Sequence, residues 1–153
     1  KFARAFGYHE RATWLNQSWD DTLAGNPIAA QFDGVNYPIV VTNRGAITER
    51  WAAIFTAANT LVNIIGEGVG QILTGVPIAE VIAPINPQTG APYFSIPPAG
   101  WNLGWAVGNV LLFETAAAGG PIWVARAVQP GGEEVLDDSA TIGYVVEVDA
   151  EAP

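Results

Sequence analysis

The sequence contains no cysteine, no methionine and a single histidine in 153 residues. Without cysteine, disulfide frameworks, thiolate nucleophiles and cysteine-based zinc sites are all excluded. A Ser-His-Asp or similar nucleophilic arrangement would have to use His9, the only imidazole. His9 lies beside Glu10 and Arg11 in the least regular part of the sequence. We therefore interpret it as an ordinary surface residue.

Basic residues are also scarce. Six Lys and Arg stand against 15 Asp and Glu, which gives a formal net charge of −9. Nucleic acids and anionic membrane surfaces are bound largely through cationic side chains. The charge balance therefore argues against both kinds of partner. Acidic residues dominate the end of the chain, because Arg126 is the last basic residue and is followed by Glu133, Glu134, Asp137, Asp138, Glu147, Asp149 and Glu151.

Long apolar runs are missing as well. A membrane-spanning helix needs about 20 consecutive apolar residues. The longest uncharged run, residues 81–113, is interrupted by five prolines, so no membrane insertion is expected. The sequence opens without methionine and without the apolar segment of a signal peptide, which leads us to expect a piece of a longer protein.

The sequence is rich in turn-forming residues and in short segments of alternating apolar residues. It contains 17 Gly and 11 Pro, and half of its residues are hydrophobic. Alternation and β-branched residues predict strands over 50–57, 60–67, 109–116, 121–128 and 141–148. Hairpin turns are predicted at 58–59 and 117–120. One buried core is expected to contain Trp51, Phe55, Phe113, Trp123 and Tyr144.

These strands predict an all-β fold, an antiparallel β-sandwich or barrel-like domain over residues 28–153. The proline-dense segment 83–100 contains a turn at 87–90 and is expected to wrap the sheets, because proline is confined to turns and sheet edges. Residues 1–27 hold three of the six basic residues and follow neither period well. They are predicted to form a less regular N-terminal arm or linker that packs on a neighbour, with a short helix near 2–15 as an option.

The stretch GWNLGWAVGN, residues 100–109, has two interpretations. If Trp101 and Trp105 are exposed, they and Asn102 form a stacking surface for sugar rings. If both are buried, the stretch is a corner of the core, where glycine allows the chain to bend. Tryptophan is largely buried on average, so the corner is favoured. Trp101, Asn102 and Trp105 remain the candidate ligand surface.

No catalytic residue, cofactor or metal site is predicted. The acidic pairs 20–21, 133–134 and 137–138 are adjacent in sequence, so in a strand their members would point to opposite faces. Segments 33–36 and 130–140 contain oxygen ligands but lack the spacing of an EF-hand. The glycine-rich segment 66–75 lacks the Gly-Lys-Ser/Thr ending of a phosphate loop.

Four segments, taken together and in order, resemble the C-terminal region of virion structural proteins of tailed bacteriophages and prophages. They are NRGAITERWAAIFT (43–56), IIGEGVGQI (64–72), APINPQTGAPYF (83–94) and GWNLGWAVGNVLLFETAAAGGPIWVARAVQPG (100–131). Family members have an Arg-Trp-Ala motif that opens a strand, and a Gly-Trp corner before a later strand. The chain departs from them at Glu114, where they have asparagine, and in its ending, which lacks their basic, Arg-Gly-Asp-like finish. These departures put surface contacts in doubt and leave the expected fold unchanged.

The resemblance implies a tail or baseplate component of the virion, assembled in the host cytoplasm and in contact with other virion proteins and copies of itself. The alternative is a module at the tail tip that binds a host-surface receptor or carbohydrate. A third reading, an enzyme that hydrolyses glycans, would need two facing carboxylates in a cleft. Candidate assembly contacts lie in the arm and in the acidic loop of the next copy: Phe2, Phe6, Trp14, Glu133 and Glu134.

Overall fold

The computed structural model divides the chain into two compact units, Lys1–Gly119 and Gly120–Pro153. It describes residues 2–15, 18–21 and 23–119, which all belong to the first unit. This part of the chain contains five strands and a single 3₁₀ turn at Pro98–Gly100. No helix in it is long and apolar enough to cross a membrane. The strands are β1 (Arg4–Arg11), β2 (Glu49–Ala57), β3 (Leu61–Gly66), β4 (Gly70–Pro77) and β5 (Val110–Ala116).

The strands form one antiparallel sheet in the order β1-β5-β2-β3-β4. The all-β prediction is therefore confirmed. Within the described ranges β1 and β4 are the two edges, and hydrogen bonds do not close the sheet into a barrel. Strands β2, β3 and β5 lie within one residue of the predicted bounds, and residues 58–60 form the expected turn, with Asn59 at φ 52°. The predicted strands 121–128 and 141–148 lie outside the described residues.

Residues 4–11 form an edge strand, so the helix considered near 2–15 is wrong. Strand β1 pairs with β5 from Arg4 opposite Ala116 to Arg11 opposite Val110. A shift in register between Phe6 and His9 accommodates one extra residue, and Gly7 lies there at φ 68°. A left-handed glycine in a bulged strand lets the chain keep pairing on both sides of the extra residue. Within the predicted arm, residues 4–11 are therefore regular, and the described residues beyond them belong to none of the five strands.

Strand β4 was not predicted because its alternation is interrupted. Its pairing with β3 shifts register twice, once between Val62 and Ile64 and once between Ile64 and Ile65. Each shift inserts a residue into β4 and moves the following side chains to the other face. The tight turn that precedes β4 has Gly70 at φ 75°.

One face of the sheet carries the main core, as the alternation in β2 and β5 predicted. Trp51, Phe55 and Phe113 are each at most 1% exposed and share this core. Trp123 and Tyr144, predicted to join them, lie outside the described residues. The core is closed by loop segments that form short bridges to one another, Val40 with Ser95, Ile82 with Ile96 and Ile85 with Pro92. The expectation that segment 83–100 covers the sheet is thereby confirmed.

Close backbone packing holds this loop layer together. Gly45 lies so close to the carbonyl of Pro92 that a Cβ atom at Gly45 would collide with it. The buried side-chain amide of Asn86 donates to the Gly45 carbonyl at 3.1 Å. Below the layer, the Trp51 indole N–H donates to Thr115 Oγ1 at 2.8 Å. These contacts satisfy polar groups that burial would otherwise leave unpaired.

The opposite face of the sheet is buried by a smaller cluster. Ala52, Val110 and Leu112 meet Trp14 there, with Trp19 packed against the cluster. Trp14 contacts Trp19 edge to face at 5.7 Å between ring centroids. Strands β2 and β5 are therefore buried on both faces.

Candidate functional site

The two tryptophans of the 100–109 stretch are buried. Trp101 is 9% exposed and Trp105 is 1% exposed. The Trp105 ring stacks on Phe55 at 4.7 Å with an interplanar angle of 14°, and Trp101 meets Phe55 edge to face at 5.4 Å. Asn102 lies exposed beside them. A sugar-stacking surface on Trp101, Asn102 and Trp105 is thus excluded, and the corner interpretation is confirmed.

Two asparagines hold this corner in place. Asn59 Oδ1 accepts the backbone N–H groups of Gly104 and Trp105, both at 2.9 Å. Asn109 Oδ1 accepts the Ala106 N–H at 2.8 Å. The indole N–H groups of Trp101 and Trp105 are enclosed and have no hydrogen-bond partner in the described part of the chain. Neither indole therefore presents a polar edge to a ligand.

The candidate assembly contacts of the arm lie in different environments. Phe2 is 80% exposed, and Phe6 is half-buried with the Arg4 guanidinium 4.9 Å above its ring centroid. Trp14, at 8% exposed, belongs to the core of its own chain. It is not available to a neighbour, which corrects its assignment as an assembly contact. Glu133 and Glu134 lie outside the described residues.

A cleft of about 390 Å³ opens at the end of the sheet where β1 begins. Phe6 and Glu114 are cross-strand neighbours, and Glu114 also faces Arg50 on β2. The sheet therefore brings an aromatic ring, a carboxylate and a guanidinium into one row. The cleft is lined by Phe6, Thr48, Glu49, Arg50, Glu67, Glu114, Thr115 and Ala116.

Arg50 is the electrostatic centre of this cleft. Its Nε and Nη2 donate to the two oxygens of Glu67 at 2.5 and 2.6 Å. Its Nη1 donates to the Trp19 carbonyl at 2.6 Å and to Asp20 at 3.1 Å. The hydrogen bond to Glu67 is the main cause that raises the pKa of Arg50 above its usual value. Arg50 thus ties the irregular segment that contains residues 18–21 to the sheet.

The three carboxylates of the cleft differ in what they bind. Glu67 accepts hydrogen bonds from Arg50, and Glu49 accepts the Gly68 N–H at 3.1 Å. Glu114 has no hydrogen bond or ion pair to another described residue. Among the described residues, Glu114 is therefore the one carboxylate of the cleft without a hydrogen-bond partner.

In segment 33–36, considered above as a cation site, the Asp33 carboxylate accepts hydrogen bonds from within the segment. Asp33 accepts the side-chain amide of Asn36 at 2.8 Å and the Asn36 backbone N–H at 3.0 Å. The side-chain hydrogen bond is the main cause that lowers the pKa of Asp33. In the described ranges, no three Asp, Glu or His side chains are grouped so that they could hold a metal ion.

The edge formed by β4 is the site that sequence reasoning missed. Gln71, Thr74 and Gly75 are exposed along it, and β3 is its only strand partner in the described part of the chain. A groove of about 200 Å³ runs beside this edge. The available signal was the absence of charge over residues 68–79, between Glu67 and Glu80. The groove is lined by Leu73, Val76, Pro77, Glu80, Val81, Ile82 and Ala83.

Comparisons of the chain with protein-family models, with curated proteins and with solved structures find no match.

Proposed function

We propose that the chain is a structural module of a tailed-bacteriophage virion, a tail or baseplate component that assembles with copies of itself and with other virion proteins. The observation that carries the assembly role is the β4 edge. Its eight residues, Gly70–Pro77, contain no charged side chain, and a groove lined mainly by aliphatic residues and by Glu80 lies beside them. An edge strand without charged side chains can pair with a strand of another chain.

The virion context rests on the resemblance of segments 43–56, 64–72, 83–94 and 100–131 to phage structural proteins. The two buried faces of the sheet support a structural role. Within the main core, Trp51 contacts Phe94 at 4.9 Å between ring centroids. In a second group of rings, Phe55, Trp101 and Trp105 contact one another at 4.7–5.5 Å. A tightly packed aromatic core favours a rigid subunit that contacts its partners through its surface.

The virion role is tested by following the chain into particles. Tailed particles from the strain that encodes the chain are banded on a density gradient and analysed by quantitative mass spectrometry. We expect the chain in the particle band, in constant ratio to the tail proteins, and an abundant host cytosolic protein serves as the control. Recovery of the chain only with the control, while intact particles band without it, would contradict the virion role.

A second candidate function is binding of a host receptor or carbohydrate in the cleft. It is favoured by the half-buried Phe6 ring beside the carboxylate of Glu114, which has no side-chain partner among the described residues. Sugars are held by aromatic faces and by carboxylate acceptors, so this pair offers both elements in one row. A glycan array with the wild-type chain and the Glu114→Gln variant tests it. Selective binding that is lost in Glu114→Gln supports receptor recognition, and the absence of any bound glycan counts against carbohydrate recognition.

A further inference from the structure

We infer that Asp33, followed by Gly34, is the residue at which this chain forms isoaspartate as it ages, and that Asn36 slows the reaction. The site is one of spontaneous covalent modification. It is independent of the proposed assembly role, because the reaction requires only this chain and water.

The reaction joins the side chain of an aspartate to the backbone of the next residue. The Gly34 backbone nitrogen attacks Cγ of the Asp33 carboxyl group, a C–N bond forms, and the carboxyl hydroxyl leaves with the nitrogen's proton as water. Water then opens the resulting succinimide ring at one of its two carbonyl groups. Opening at Cγ restores aspartate. Opening at the main-chain carbonyl leaves the backbone running through Cγ, and this product is isoaspartate.

The sequence contains one position that strongly favours this reaction. A side chain on the residue after the aspartate hinders the attack, so glycine, which has no Cβ, is the most reactive neighbour. Asp-Gly occurs once in the 153 residues, at 33–34, and Asn-Gly, which reacts by a similar route, does not occur. The other aspartates are followed by Asp, Thr, Ser or Ala.

The fold requires glycine at position 34. A Cβ atom there would lie 2.5 Å from Cε2 and 2.6 Å from Cδ2 of the Tyr8 ring. Tyr8 is itself held in place, since its Oη accepts the Ile39 N–H at 3.2 Å. A larger residue at position 34 would therefore displace the ring and disturb that hydrogen bond. Packing thus keeps the reactive Asp-Gly pair in the chain.

The folded turn binds both reacting groups. The Gly34 N–H donates to the Phe32 carbonyl at 2.9 Å. The Asp33 carboxylate accepts the Asn36 side-chain amide at 2.8 Å and the Asn36 backbone N–H at 3.0 Å. Such hydrogen bonds favour the ionised carboxylate, which is a poorer electrophile than the neutral acid. Cyclisation therefore requires local opening of the turn, so the folded chain should react more slowly than the unfolded chain.

Isoaspartate at this position would weaken the contact between the turn and β1. The linkage adds one carbon atom to the main chain between Asp33 Cα and the Gly34 nitrogen. It also converts the Asp33 carbonyl, which accepts the Tyr37 N–H at 3.0 Å, into a free carboxylate branch. Gly34 then no longer fits under the Tyr8 ring. The modified chain should therefore be less stable than the unmodified one.

The first experiment ages the intact chain for several weeks at neutral pH and maps isoaspartate by mass spectrometry with electron-transfer fragmentation. We expect isoaspartate to accumulate first at position 33, and faster in guanidinium chloride than in the folded chain. Asp33→Glu is the control that locates the signal, because glutamate would have to close a six-membered ring and does so slowly. Absence of isoaspartate at position 33, faster accumulation at another aspartate, or equal rates in the folded and unfolded chains overturns the inference.

The second experiment tests the role of Asn36. Asn36→Ala removes the side-chain hydrogen bond, and the rate at Asp33 in the folded chain should rise about threefold, as expected for the loss of one hydrogen bond. Asn102→Ala, the same substitution at an exposed asparagine outside the turn, should leave the rate unchanged. In guanidinium chloride Asn36→Ala and the wild type should react equally, because the hydrogen bond exists only in the folded turn.

Circular dichroism confirms the fold of each variant, and Asn36→Ser replaces Asn36→Ala if that variant does not fold. Equal rates at Asp33 in the folded Asn36 variant and the folded wild type overturn the role of Asn36.

The third experiment measures the consequence for the fold. The aged wild-type chain receives a short pulse of protease at increasing denaturant concentrations, and the isoaspartate content of the surviving intact chain is determined. This content should fall at lower denaturant than the unfolding midpoint of the fresh chain. An isoaspartate content that stays equal to that of the undigested sample would show that the linkage does not weaken the fold.

Discussion

The two edges of the sheet are built differently. Strand β1 carries charged residues and is tied to its own chain, since Tyr8 Oη accepts the Ile39 N–H at 3.2 Å and Glu10 Oε1 accepts the Phe32 N–H at 2.9 Å. A bridge between Arg11 and Pro27 extends this contact. Strand β4 has no charged residue, and Gln71, Thr74 and Gly75 are exposed along it.

We call β1 the closed edge, because its side chains bond to the backbone of its own chain. We call β4 the open edge, because β3 is its only strand neighbour among the described residues. Closing β1 uses polar side chains placed to bind the backbone of the following segment. No such side chains are present on β4, and its exposed residues are small and uncharged. Substitutions on β1 should therefore reduce the stability of the chain, whereas substitutions on β4 should affect association. The predictions below test that contrast.

The largest effect is expected at Phe113, in the strand that joins β1 to the rest of the sheet. Phe113 is 1% exposed and packs edge to face on Phe94 at 5.0 Å. Phe113→Ala should lower the free energy of unfolding by about 3–5 kcal/mol, as truncations of buried aromatic residues do. Urea denaturation measures the loss. Phe2→Ala, at an 80% exposed position, is the control and should change stability by less than about 0.5 kcal/mol.

The next effect is expected on the closed edge. Tyr8→Phe removes the acceptor of the Ile39 N–H and should cost about 1–2 kcal/mol, the range for a half-buried donor left without its partner. Tyr37→Phe, at a more exposed tyrosine, provides the matched control for loss of a hydroxyl. Equal denaturation midpoints for Tyr8→Phe and the wild type would show that the Tyr8 contact does not help to close this edge.

Tyr8 also predicts a dependence of stability on pH. Burial is the main cause that raises the pKa of Tyr8 above the usual value for a tyrosine hydroxyl. A raised pKa means that the folded chain retains the proton longer than the unfolded chain does. The contribution of Tyr8 to the free energy of unfolding should therefore be fully present below pH 10 and be lost as the pH rises through the raised pKa. Thermal unfolding between pH 8 and 11 should show a smaller alkaline loss in Tyr8→Phe than in Tyr37→Phe.

A smaller effect is expected where Arg50 meets the residue at the start of the turn before β4. The Arg50–Glu67 pair is partly exposed, with 30% and 36% of the two side chains accessible. Glu67→Gln should lower the free energy of unfolding slightly, and the loss should shrink in high salt, because exposed ion pairs are screened. Denaturation at two salt concentrations measures both. A loss that does not depend on salt would assign the contact to hydrogen bonding.

The smallest effect on stability is expected on the open edge. Thr74→Lys replaces an exposed side chain and should change the free energy of unfolding of the monomer by less than about 0.5 kcal/mol. We expect this substitution to weaken the association of the chain with its partners instead. A large loss of stability in dilute protein, where only monomer is present, would show that β4 is closed within its own chain and would remove the contrast between the edges.

Strands β2, β3 and β5 could be predicted from the sequence because large apolar side chains alternate along them. In β2, Trp51 and Phe55 point to the main core and Ala52 and Ile54 to the smaller cluster, as period-two alternation requires. The edge strands gave no such signal. In β1 charged residues and a bulge at Gly7 disrupt the pattern, and in β4 two register shifts do so. Edge strands bury less of each side chain, so selection for alternation is weaker there.

The sequence by itself determined the all-β class, the faces of β2 and β5 and the turn at Asn59, because each depends on residues near one another in the chain. Tertiary structure alone decided the fate of the tryptophans. Trp101 and Trp105 are buried because Phe55, on a distant strand, supplies the rings they pack against, and Trp14 is buried because Leu112 and Trp19 meet it. Tertiary structure likewise decided which of the five described strands lie at the edges of the sheet, because the position of a strand depends on which distant strands pair with it.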